Sequence, residues 1–73
     1  MEYARSLAFS PDGRRLASGG LWVTHVWDLG SGRATHEFEG HRGMVNALAF
    51  SADGKRLATG SEDSTVLIWD VSK

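Results

Sequence analysis

Residues 7 to 19 read LAFSPDGRRLASG and residues 48 to 60 read LAFSADGKRLATG, the same block written twice at an offset of 41 positions. A fixed period of this length constrains a chain more than any local propensity, because repeated units of twenty to fifty residues fold as copies of one supersecondary element. After the block both copies reach a Trp-Asp pair, Trp27-Asp28 and Trp69-Asp70, the first one residue sooner, and the missing residue falls between Gly19 and Val23.

Within each copy Asp12-Gly13 and Asp53-Gly54 lie between apolar runs, a hairpin signal, and no helical periodicity competes with it. The reading is all-β, with seven strands expected at about 3–10, 15–19, 22–27, 33–39, 44–50, 56–60 and 65–70, boundaries being uncertain by roughly 2–4 residues. Ala47 to Phe50 and Val66 to Trp69 are apolar at every position, which calls for a sheet covered on both faces. Residues 33–39 alternate instead, with Ala34, His36 and Phe38 expected on one face and Thr35, Glu37 and Glu39 on the other.

A chain of 73 residues with no cysteine has neither disulfides nor a thiolate metal site to support a small core, so association with further protein is the remaining aid. Eight basic residues against nine acidic ones give a formal charge of −1, which creates no field to attract nucleic acid or an anionic membrane. With no basic start before an apolar run and no stretch able to span a bilayer, a cytoplasmic setting is the expectation.

The period of about forty residues, Gly40-His41, the Phe-Ser-x-Asp-Gly turn and the closing Trp-Asp together resemble the WD-repeat family of β-propellers, over nearly the whole chain. The resemblance implies blades that are four-stranded antiparallel meanders packed face to face around a channel, about two per chain. Residues 1–39 would form a first blade, and residues 40–73 a second that lacks its outer strand. Two blades cannot close a ring that typically needs 4–8. The chain is therefore expected either to belong to a longer propeller or to complete a ring as a homo-oligomer.

The resemblance also implies a hydrogen-bonded structural tetrad, His41, Thr59, Asp63 and Trp69, in which the histidine bridges the aspartate and the hydroxyl and the hydroxyl reaches the indole N–H; of these the first repeat keeps only Ser18 and Trp27. A hydroxyl, an imidazole and a carboxylate could instead be the parts of a hydrolase, but no nucleophile elbow surrounds Thr59, and no catalytic residue is assigned. His25 and His36 make a poor zinc set, so neither a metal nor another cofactor is expected. The glycine-rich pieces lack a phosphate loop's lysine.

What remains is a non-enzymatic scaffold for protein–protein interaction. By the family's pattern its top face would bind protein or peptide through Arg42, Met44, Asn46 and Glu62, with Tyr3, Arg5 and Leu21 at the matching places of the first repeat. The alternative from another class is a self-assembling structural block with no partner site. Leu21 and Trp22 are open to two readings, core packing or an exposed contact.

Overall fold

Each Ser-x-Asp-Gly segment folds into the same turn. The Ser10 hydroxyl donates to the Asp12 carboxylate at 2.6 Å, the Arg14 backbone N–H donates to the same oxygen at 2.9 Å, and the Arg15 N–H donates to Ser10 Oγ at 3.0 Å. Gly13 takes the left-handed conformation at φ 73°, which a residue with a Cβ adopts only at a cost. Ser51, Asp53, Gly54, Lys55 and Arg56 reproduce this arrangement. These bonds hold both aspartates below the usual carboxylate range, the serine hydroxyl being the largest cause and the backbone N–H the next.

The computed structural model describes residues 5–72. Around the turns run six strands, β1 Ser6–Phe9, β2 Arg15–Gly19, β3 Leu21–Asp28, β4 Arg33–Phe50, β5 Arg56–Ser61 and β6 Val66–Asp70. Each pairs antiparallel with its sequence neighbour. The count is six rather than the expected seven because residues 33–39 and 44–50 run on as one strand of 18 residues. Its first half pairs with β3, Thr24 opposite Phe38, and its second half with β5, Leu48 opposite Thr59. β4 is thus the outer strand of a first four-stranded unit and the inner strand of a second unit, which has three strands among the described residues.

The two units pack face to face. Ala17 and Val26 of the first and Leu57 and Val71 of the second are fully buried together, with Phe38, Leu48, Phe50 and Trp69 packed against them. Phe38 stacks on Trp69 with ring centroids 4.5 Å apart. Close approach here needs a missing side chain, since a Cβ on Gly19 would lie 2.7 Å from Val45 Cγ1.

Two expectations are corrected. A register shift between Val26 and Trp27 sets Val26 opposite His36 but Trp27 opposite Ala34, so the strand bulges at Thr35. Ala34 therefore does not share a face with His36 and Phe38. The expected cover on both faces is also not met within one chain. Leu48, Phe50, Leu67 and Trp69 point into the joint, but Ala47, Ala49, Val66 and Ile68 are exposed on the outer side of the second unit. Leu7 at 62% and Phe9 at 67% are exposed on the outer side of the first.

The joint makes an energetic prediction. Truncating Leu57, fully buried within it, should lower stability by about 2–5 kcal/mol. That is a large part of what so small a core supplies. Chemical denaturation of Leu57→Ala followed by circular dichroism measures it.

Candidate functional site

The four residues expected to form a tetrad come together at the joint between β4, β5 and the β5–β6 turn, and a fifth joins them. Trp69 Nε1–H donates to Thr59 Oγ1 at 2.9 Å, and Thr59 Oγ1 lies 2.7 Å from His41 Nε2. His41 Nδ1 reaches Thr65 Oγ1 at 2.9 Å, and the Thr65 hydroxyl donates to Asp63 Oδ1. Because that proton points at the carboxylate, Thr65 must accept from His41 Nδ1–H, which leaves Nε2 to accept the Thr59 proton. Donors therefore run in one direction from the indole to Asp63.

The direct bridge expected between His41 and Asp63 is not formed, for Nδ1 and Oδ1 are 3.7 Å apart, beyond hydrogen-bonding range. Thr65 fills the gap. Sequence reasoning missed it, although an Asp with a hydroxyl residue two positions on is the pattern of an Asx turn, and the Thr65 N–H does donate to Asp63 Oδ1 at 2.9 Å. The other carboxylate oxygen accepts the Arg42 N–H at 2.6 Å, which ties the middle of β4 to the β5–β6 turn. The Arg42 N–H, followed by the Thr65 hydroxyl, holds the Asp63 carboxyl far below the usual range.

In the first repeat Trp27 Nε1–H donates to Ser18 Oγ at 3.0 Å, and the network stops there. Trp22 at φ 70°, at the irregular start of β3, and Ser64 at φ 74°, in the β5–β6 turn, occupy the same left-handed position of the two repeats. That alignment sets Leu21 where the second repeat has Asp63. An apolar side chain stands in place of the carboxylate, and both it and Trp22 are exposed, Trp22 at 57%, so the core-packing alternative does not hold. A tryptophan in this conformation costs about 1–2 kcal/mol, a strain that marks a functional hypothesis.

Leu21, Trp22, Val23, Glu37, Glu39 and Arg42 line an open groove of about 920 Å³, with Val23 and Glu39 paired across the β3–β4 ladder. Of the residues expected at a partner surface, Leu21 and Arg42 thus lie together. Met44 is half-buried opposite Leu21, its carbonyl accepting the Glu62 N–H at 3.0 Å. Asn46, Glu62 and Arg5 are exposed away from the groove lining. Tyr3 lies outside the described residues. His25 sits 3.8 Å from Glu37 and against Trp27, and His36 contacts Thr35 and Phe38. Among the described residues, no group of three or more histidines and acids is placed to hold a metal ion.

With two such units, a repeated Trp-hydroxyl bond and one complete network established, comparison with known proteins becomes decisive. The family model described as WD domain, G-beta repeat matches residues 3–28 and 32–70. The chain belongs to the WD-repeat family. Its members are β-propellers that typically act as protein-interaction scaffolds. A relative, the U3 snoRNP-associated protein-like EMB2271 of Arabidopsis thaliana, is 41% identical over 89% of this chain and 14% of its own length. The small ribosomal subunit protein RACK1 of Neurospora crassa is 32% identical over 99% of the chain and 24% of its own length. The crystal structure of the Cps50 (Swd1) β-propeller domain of Myceliophteria thermophila superposes with a TM-score of 0.94 at 24% identity, over the whole chain and 23% of that domain. This WD-repeat chain therefore spans less than a third of each of these proteins.

Two predictions come from the network. Thr59 is fully buried, and Thr59→Val keeps its shape while leaving the Trp69 N–H and His41 Nε2 without partners, so urea denaturation should show a loss of about 1–3 kcal/mol. For Asp63 the sign follows from its depressed folded value. Its contribution is full above the ordinary aspartate value of about 3.9 and is lost as the pH falls toward the folded one. Stability measured from pH 6 down to pH 2 should fall less steeply in Asp63→Asn than in the parent, Asp12 and Asp53 supplying the slope that remains.

Proposed function

We propose that this chain is a non-enzymatic propeller element that holds a protein segment in the groove lined by the start of β3 and the middle of β4. One observation carries the reading: an exposed tryptophan, held in a strained conformation, lines an open groove together with two exposed glutamates. The groove lies where the family pattern sets its partner surface, after the second strand of one blade and before the first strand of the next. Trp22 and Leu21 suit an apolar anchor, and Glu37 and Glu39 suit a cation beside it, so the fitting segment is one in which apolar and basic side chains alternate. Against hydrolysis stands the burial of Thr59, whose hydroxyl is engaged by Trp69 and His41 and reachable by no substrate.

A second reading concerns assembly, favoured by the apolar side chains left open on both outer sides, Leu7 and Phe9 on one and Val66 and Ile68 on the other. Copies stacked in blade order cover both. Three or four copies would close a ring of about 6 or 8 blades, within the family's typical 4–8.

The groove is tested with two synthetic decapeptides, one alternating leucine with lysine and one alternating leucine with glutamate, titrated into the chain by isothermal calorimetry. The lysine peptide should bind, the glutamate peptide should not, and Trp22→Gly should abolish binding while leaving the chain as stable as the parent or more so. Equal binding of both peptides, or undiminished binding by the glycine variant, would count against the site.

A further inference from the structure

The joint inside the chain shows what a joint between copies would need. Arg15 on β2 crosses it, with Nη1–H donating to the Val71 carbonyl and Nη2–H to the Gly54 carbonyl, each at 2.5 Å, and the guanidinium 5.7 Å from the centre of the Phe50 ring. One planar fork thus takes two carbonyl oxygens, one from the β4–β5 turn and one from the segment after β6, while lying over an aromatic face, a task for which lysine lacks the geometry.

The repeat transposes every member of this contact. The offset of 41 carries Arg15 onto Arg56, Gly54 onto Gly13 and Phe50 onto Phe9, and beyond the one-residue gap Val71 falls on Leu29. The transposed parts are all present and all open. Arg56 and Gly13 are exposed, as is Phe9, and Leu29 is 44% exposed where Val71 is wholly buried. They cannot meet within one chain. Arg56 shares its face with Ala58, Gly60 and Ile68, on the outer side of the second unit, whereas Phe9 shares its face with Leu7, Leu16 and Trp27, on the outer side of the first. The glycine that lets the inner joint close is repeated too, since Gly60 corresponds to Gly19.

We propose that Arg56 clamps a second copy of this chain, donating to the Gly13 and Leu29 carbonyls of that copy and lying over its Phe9, so that the copies join head to tail. The proposal rests on the assembly reading above and names the residue that gives the joint its register. One contact of the inner joint has no counterpart in it. Ser6 Oγ donates to the Val45 carbonyl at 2.9 Å, but the matching position is Ala47. The joint between copies lacks that bond and forms between separate chains, so it depends on concentration and leaves Arg56 a larger share of it.

The experiment is sedimentation of the 73-residue chain from low to high micromolar concentration, with circular dichroism on the same samples. The parent should assemble into multiples of its own mass, and Arg56→Ala should need about tenfold or more concentration to reach half assembly. Arg56→Glu and Phe9→Glu should each fail to assemble. Mixed in equal amounts they should yield a species of two chains and nothing larger, because each supplies the face the other has lost. A parent that is a folded monomer throughout overturns the assembly reading and the clamp together. A parent that assembles while Arg56→Ala assembles equally well overturns the clamp and leaves the reading standing. A mixture without the two-chain species overturns the head-to-tail order, even if either glutamate variant is poorly folded by itself.

Discussion

Phe38 and Trp69 lie ring on ring in the interface between two small sheets, half-buried against Val26, Leu57 and Val71, which are wholly buried. A meander of three or four short strands with apolar side chains on both faces is not stable in water, and covering one face with a like sheet is the least that such a unit requires. The rest of the chain serves this packing. The second Ser-x-Asp-Gly turn sets the strand ends that carry Phe50 and Leu57, Gly19 allows the backbones to approach, and Arg15 fixes the two sheets in register through carbonyls of the facing unit.

The polar thread from Trp69 to Asp63 acts on the same interface from its edge. His41 and Thr59 are buried, so each proton along the thread needs an acceptor, and Thr65 and Asp63 supply the last two. Among the described residues no buried side-chain nitrogen or oxygen lacks a partner. A network satisfied in this way specifies geometry more than it adds affinity. Here it holds the crossing segment of β4 against the β5–β6 turn. The first repeat gives up that specification at Leu21 and has an exposed apolar corner instead, so the two halves of one repeat pattern divide between rigidity and contact.

Much of this was legible in the sequence because it rests on short-range chemistry. The duplicated Asp-Gly turns and the strand pairs follow from residues whose roles are set by their neighbours or by the repeat, whereas the clustering of His41, Thr59, Asp63 and Trp69 was legible only through the resemblance to the WD-repeat family. The remainder depends on relations that a linear reading does not carry. The bulge at Thr35 arises from the register of β4 against β3, and it moved Ala34 across the sheet. Whether residues 40–43 break a strand or continue it is decided by the Arg42 N–H finding Asp63, a contact across 21 positions. The exposure of Val66 and Ile68 was hidden because apolar composition reports which faces want cover, not how many of them one chain can cover.

β4 belongs to two units at once, and the boundaries of the matched sequence repeat, 32–70, cut the fold in a different place from the edges of its sheets. A gene duplication that copies this segment would therefore deliver one strand to the unit before it and three to the unit after. Every added copy would finish the edge left by its predecessor and open an identical one, so an array could lengthen by the same step without any new contact having to arise. Deleting one repeat would likewise rejoin compatible edges. Growth and loss of whole repeats are thus tolerated where the insertion of a few residues into either half of β4 would shift the register of the sheet which that half joins.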